Sequence, residues 1–192
     1  YWTAIQIKMP LSKMRHLLNK VILTVKEICP SSKTVGVIAI TPQDIDNLGG
    51  ELGEGGYSLP NFDIVGFDYY YTQARQTLGI SLAEFERIWQ EKYMENMKEF
   101  LLPGQKIVLI PGTFEFEGQK IPVEDFLSLA RFYWDRARTD SNVVAIVPFL
   151  WAWPGENSPN KGLKDLPPEV QNAWREIGRK ILRHSRECPR IK

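Results

Sequence analysis

Cysteine is scarce in this chain of 192 residues: there are two, Cys29 and Cys188, each just before a proline. Neither belongs to a CxxC or to a Cys/His cluster at metal-ligand spacing, so no zinc site or dithiol redox pair is expected, and the redox compartment stays open. An excess of one charge is missing too, with 24 basic against 23 acidic residues. A polyanion such as nucleic acid therefore has no global electrostatic support as a partner. No run of about 18 apolar residues exists to span a bilayer, and the N-terminus has neither the basic start nor the small-residue cleavage site of a signal peptide. The expectation is a soluble chain with no membrane partner. No glycosylation sequon occurs, because Asn157 is followed by Ser158 and then Pro159.

Nucleotide motifs are also lacking. No GxGxxG follows a strand, which counts against a doubly wound dinucleotide-binding sheet. The glycine-rich stretch GGELGEGG has no Gly-Lys-Ser/Thr after it, and its two glutamates would repel phosphate. No cofactor is expected. His16 and His184 fall on or near the polar faces of helices, without a triad partner in recognisable spacing, and read as solvated.

What is present is an alternation of elements. Tyr1 to Pro10 begins abruptly on aromatics without an initiator methionine, and reads as the middle of something longer. From Ser12 the apolar positions Met14, Leu17, Leu18, Val21, Ile22, Val25 and Ile28 recur at threes and fours, which predicts an amphipathic helix ended by Pro30. TVGVIAI, Thr34 to Ile40, predicts a buried parallel strand, and Thr41 to Pro60 a long loop. FDIVGFDYYY, Phe62 to Tyr71, predicts a second strand followed by a polar link. Ser81 and Glu84 form a capping box opening a helix through Leu82, Phe85, Ile88, Trp89 and Met97, stopped by Pro103-Gly104. KIVLIPGTF is the third strand. A helix after Pro122 is expected to bury Phe126, Leu127, Ala130, Trp134 and Ala137, NVVAIVPFLW is the fourth strand, and a last helix begins near Pro167-Pro168. This pattern implies a single α/β domain over 1–192 with a parallel sheet and right-handed crossovers. The chain is shorter than a complete (β/α)8 barrel of about 250 residues.

In the second strand, Ile64, Gly66 and Asp68 share one face, and Val65, Phe67 and Tyr69 the other. A carboxylate carried into a strand's C-terminal end is costly unless it is hydrogen-bonded or opens onto a cavity, and those ends are where α/β folds place ligand sites. The plainer alternative is an acid capping its own turn.

FDIVGFDYYY, KIVLIPGTF and VVAIVPFLWAWPG, followed by a proline-opened helix, resemble the last three strands of a glycoside-hydrolase-like TIM barrel, with TVGVIAI as the strand before them. The resemblance implies a parallel-stranded (β/α) barrel of which this chain is the C-terminal half. VGFDYY is similar to the Met-x-Tyr-Asp motif of chitinase-type barrels, with Asp68 at the aspartate, Phe67 in place of the tyrosine and Val65 in place of the methionine. Trp151 matches the tryptophan that floors the sugar site. The DxxDxDxE motif bearing the acid of those enzymes is absent, and would lie upstream of Tyr1. The other large glycosidase group carries a glutamate at the end of strand seven, where this chain reads Pro111-Gly112-Thr113, with Glu115 and Glu117 just beyond. An extracellular or periplasmic location is implied by the resemblance alone.

The expected function is a glycoside-hydrolase-like, carbohydrate-active protein with its pocket at the strands' C-terminal ends. Asp68, Glu115 and Glu117 are the catalytic candidates, and Tyr69, Tyr70, Tyr71, Trp151 and Trp153 the substrate-binding ones, aromatic faces suiting the C–H side of a pyranose. Trp89, Trp134 and Trp174 sit at helix-core spacing and read as packing. The alternatives are a non-catalytic carbohydrate-binding barrel and a structural or assembly module without ligand. The expected partners are a glycan or other small molecule, and an N-terminal half-barrel or a second copy to cover two raw sheet edges.

Overall fold

A computed structural model describes residues 11–39, 62–99, 101–153 and 158–187, with side chains placed for 16–37, 62–99, 101–153 and 158–183. The loop expected at Thr41 to Pro60, the aromatic N-terminus, Cys188 and the side chain of His184 lie outside the described residues.

The sheet has four strands, β1 (Val35–Ala39), β2 (Ile64–Asp68), β3 (Lys106–Leu109) and β4 (Val143–Ile146), paired in chain order. Every pairing is parallel, as the alternation predicts. Helix α1 (Leu11–Ile28) precedes β1 and ends before Pro30. Between β2 and β3 lie α2 (Tyr71–Leu78), α3 (Leu82–Ile88), a π-helical turn Trp89–Met94, and α4 (Glu95–Glu99). Helix α5 (Val123–Thr139) links β3 to β4, and a 3-10 turn Leu163–Asp165 leads into α6 (Pro168–Glu187). No described helix is long and apolar enough to cross a membrane.

Three expectations need correction. The polar link after Tyr71 is in fact α2. Its Tyr71 and Ala74 are buried three residues apart, and Gly79 ends it in the left-handed conformation, φ 66°. The helix opened by Ser81, whose hydroxyl accepts from the Glu84 N–H, does not run on as plain α-helix but widens into the π turn. Trp89, Tyr93, Met94 and Met97 all turn inward there, so that two successive residues of the turn, Tyr93 and Met94, are both buried. In α5 the buried face is Phe126, Leu129, Ala130 and Tyr133, with Leu127, Trp134 and Ala137 at its margin. Trp89 and Trp174 are packing residues, as expected, and Trp134 lies half-buried beneath the Lys180 ammonium. His16 and Cys29 are exposed.

The two faces of the sheet are treated differently. Val65, Phe67, Ile107 and Leu109 join α3 to α6 in one core that also holds Phe85, Trp89, Phe126, Tyr133 and Val170. A separate, smaller cluster of Tyr70, Val108, Ile110 and Phe114, fringed by Ile64, Phe116, Ala145, Leu150 and Trp153, contains no helix residue. This follows from the topology, since right-handed crossovers that always step the same way set every connecting helix on one side. The second face stays helix-free among the described residues. The sheet is open, with β1 and β4 as its edges, and Val35 and Val37 of β1 and Val144 of β4 are about half exposed, so TVGVIAI forms an edge strand and not the buried one expected of it. The described residues thus form an open four-stranded parallel sheet, which is consistent with part of a (β/α) barrel and does not show a barrel.

Two contacts fix β2 in this sheet. A Cβ on Gly66 would stand 2.6 Å from the Val108 Cγ1 and 2.7 Å from the Val108 carbonyl oxygen, so only glycine allows that approach. At the foot of the strand, Asp63 accepts from the Thr34 N–H (2.8 Å) and the Thr34 hydroxyl (2.9 Å), and pairs with Lys26 (3.2 Å). The Thr34 bonds and the lysine hold its carboxyl down, to about 2. Gly66→Ala is predicted to cost about 2 kcal/mol or more by overpacking against backbone, read from urea denaturation. Because the folded pKa of Asp63 lies below the unfolded one, its contribution is present above pH about 4 and is lost as the pH falls through about 2. The stability gap between the parent and Asp63→Asn is therefore predicted to close across that interval.

Candidate functional site

Alternation along β2 carries Asp68 to the helix-free face, the side on which Gly66 meets Val108 and Ile110. Tyr70, two residues on, is 6 % exposed and lies on the same side, while Tyr69 goes the other way. The Tyr70 ring stacks on Phe149 (5.6 Å, 7° between planes) and meets Phe114 edge-on at 5.2 Å. Its seat exists because residue 112 is glycine: a Cβ there would come within 2.8–2.9 Å of the Tyr70 side chain. Gly112 also bridges Phe149, and the Thr113 N–H donates to the Phe149 carbonyl, so the exits of β3 and β4 stay paired beyond the strands proper.

Asp68 Oδ1 and the Tyr70 hydroxyl are buried, and neither meets hydrogen-bond geometry with a described group. They are nevertheless close enough to act on one another. Burial pushes the Asp68 carboxyl above its ordinary value, opposed by the Tyr70 hydroxyl beside it. Burial likewise pushes the Tyr70 phenol up, and the neighbouring Asp68 charge adds to the effect. The turn-capping alternative predicts a carboxylate satisfied by its own backbone. Asp68 instead keeps one buried oxygen without a hydrogen bond among the described residues, the condition under which such an atom costs about 1–3 kcal/mol.

An aromatic wall frames this pair. Phe114 contacts Trp153 at 5.6 Å, Phe116 contacts Trp153 at 5.7 Å, and Phe114 meets Phe149 at 6.2 Å, perpendicular to it. Trp151 is 58 % exposed, and its carbonyl accepts from the Lys164 N–H. The structure thus brings Asp68, Tyr70 and Trp153 to one region at the C-terminal end of the sheet.

The remaining candidates are placed elsewhere. Tyr69 stacks between Phe85 (5.0 Å) and Tyr93 (4.2 Å) in the helix-side core, where burial pushes its phenol up to about 12. The Tyr71 hydroxyl donates to Asp125 (2.8 Å), which also pairs with Arg75 (3.1 Å), tying α2 to α5. Glu115, a catalytic candidate on an exit loop, is buried, one oxygen accepting from the Ile121 N–H (2.9 Å) and the other from Lys161 Nζ (3.2 Å). Glu117 is exposed, and its N–H donates to Asn160 (2.7 Å). Sequence reasoning passed over Phe114, Phe149 and Gly112. The period-two run through PGTFEF carried the signal for the first, but the need for glycine opposite Tyr70 is a contact between strands.

Since the folded pKa of Asp68 lies above the unfolded one, its ionised form opposes folding at neutral pH, and the penalty fades as the pH falls through the folded value towards the unfolded one. Asp68→Asn is predicted to be at least as stable as the parent at pH 7, with any gain vanishing near pH 3. Thermal denaturation at the two pH values checks this, and a loss of stability at pH 7 would show that the carboxylate is held by partners.

Among the described residues no group of three His, Cys, Asp or Glu could hold a metal ion. Compared with known proteins, the chain matches no family model and no curated protein, so the chemistry of the site is read from its own residues.

Proposed function

We propose that this chain is a carbohydrate-active, glycoside-hydrolase-like half of a (β/α) barrel, its helix-free face being the inner wall and its saccharide site lying at the strands' C-terminal ends. The observation that carries the reading is the buried oxygen of Asp68, without a hydrogen bond among the described residues, beside the Tyr70 hydroxyl and within an aromatic wall. A folded chain tolerates such atoms where they meet a ligand. Asp68, raised by burial, is suited to hold a proton against a leaving group or to stabilise charge developing at the sugar ring. Tyr70 donates a hydrogen bond, and Trp153 and Trp151 offer flat faces to the apolar side of a pyranose.

Glycoside hydrolysis takes two carboxyl groups across the scissile bond. Glu115 has both oxygens engaged and Glu117 faces solvent, which leaves Asp68 as the carboxylate on the site's face among the described residues. This favours a second reading, a carbohydrate-binding barrel without turnover, for the chain by itself. The two open edges and their half-exposed valines support completion by a further parallel half, either an N-terminal segment or a second copy. A structural module without ligand is the outcome if no glycan binds.

The test is a glycan-binding screen followed by calorimetry, with chromogenic glycosides assayed in parallel. Binding is expected for the unaltered chain, weakened about tenfold by Trp153→Ala, the equivalent of roughly 1.4 kcal/mol for one stacked ring. No turnover is expected, because a missing acid or base costs about a hundred- to ten-thousand-fold. Turnover abolished by Glu117→Gln would instead make that loop carboxylate the second group, and a blank screen would remove the saccharide reading.

A further inference from the structure

The exits of β3 and β4 are joined by a second contact besides Gly112–Phe149. Glu115 and Lys161 form an antiparallel bridge, each N–H donating to the other's carbonyl at 2.9 Å, and their side chains pair at 3.2 Å. The Glu115 side chain is 8 % exposed and the Lys161 side chain 55 %, so a buried carboxylate reaches outward to a cation at the surface. Its other oxygen receives the Ile121 N–H, at the entry to α5.

Two features of the chain give this contact a consequence for the site. Phe114 and Phe116 flank Glu115, and in extended backbone residues on either side of a given position point opposite to it. Both rings contact Trp153 while the carboxylate faces the clamp. On the other loop, the segment after Lys161 is laced to the residues that lead into Trp153. The Leu163 N–H donates to the Leu150 carbonyl (2.8 Å) and the Lys164 N–H to the Trp151 carbonyl (3.0 Å). A Cβ on Gly162 would stand 2.7 Å from the Trp151 oxygen. Moving Lys161 relative to Glu115 therefore moves Trp153 relative to Phe114 and Phe116.

We infer that the Glu115–Lys161 pair is a positioning clamp for the aromatic wall, holding Trp153 where a saccharide would meet it. This inference rests on the saccharide reading for its functional consequence but not for its geometry. Glu115 and Lys161 touch no reacting atom. They act through the two loops they join, and their charge interaction sets how firmly the wall is held.

The experiment is fluorine NMR of the chain labelled with 5-fluorotryptophan, the Trp153 and Trp89 signals being assigned by Trp→Phe variants. Glu115→Gln keeps an acceptor for the Ile121 N–H while removing the charge, and Lys161→Met removes the same pairing from its exposed end. Both are expected to shift or broaden the Trp153 signal, to leave that of Trp89 across the sheet unchanged, and to weaken glycan binding about three- to tenfold. Lys161→Arg is expected to restore the parent signal and affinity. A Trp153 signal that stays put in Lys161→Met, a variant chosen because its altered end is exposed, overturns the clamp whatever happens to binding. Signals that move as expected in a parent that binds no glycan support the clamp and remove the saccharide reading instead.

Discussion

The alternation of β2 between two unlike faces is the constraint on which the rest depends. Val65, Phe67 and Tyr69 must be apolar or aromatic because they are roofed by helices, and the same period sends Asp68 and Tyr70 to the side where no helix lies among the described residues. A shift of one residue in register would bury the carboxylate under Trp89 and Tyr93 and expose Phe67. The register is held from both ends, by the Gly66–Val108 approach within the strand and by the Asp63–Thr34 bonds at its foot. The candidate site thus inherits its geometry from packing, and the carboxylate of Asp68 and the hydroxyl of Tyr70 arrive at the end of an otherwise apolar strand.

Beyond the strands, the wall is built by loops that borrow sheet-like contacts. Gly112 meets Phe149, and Glu115 meets Lys161 in the opposite sense, so the exits of β3 and β4 are knitted at two levels. The aromatic rings then contact one another edge-on, tilted or stacked at 5.2–6.2 Å, distances at which such pairs add to the gain from burial alone. Positions on loops tied down in this way can be nearly as well defined as those on a strand.

Much of this was legible in the residues. The stripe from Met14 to Ile28, the β-branched run TVGVIAI and the capping serine Ser81 each specify an element through local chemistry, and the structure forms all three. The division of β2 into two faces was equally readable, because a strand's period is two whatever it packs against. What escaped were features decided by partners distant in the chain. Nothing near Glu115 announces Lys161 or the Ile121 N–H, and without them a loop glutamate reads as solvated. Tyr69 and Tyr71 looked like neighbours of Tyr70 because composition groups them, whereas the strand's end and the start of α2 turn them towards Phe85 and Asp125.

The π turn between α3 and α4 bears on how this chain can change. A π turn accommodates one residue more per turn than an α-helix, so the segment from Trp89 to Met94 behaves as a single-residue insertion absorbed without breaking the helix. Removing one residue there would let the turn relax to regular helix while the helix beyond keeps its facing, with Met97 in the core and Lys98 on its contact with Asp140, whereas the same deletion in regular α-helix would rotate everything beyond it by about 100°. The helix can therefore lose one position in this stretch more readily than elsewhere along it, and among divergent copies of the chain a one-residue change of its length should fall here first.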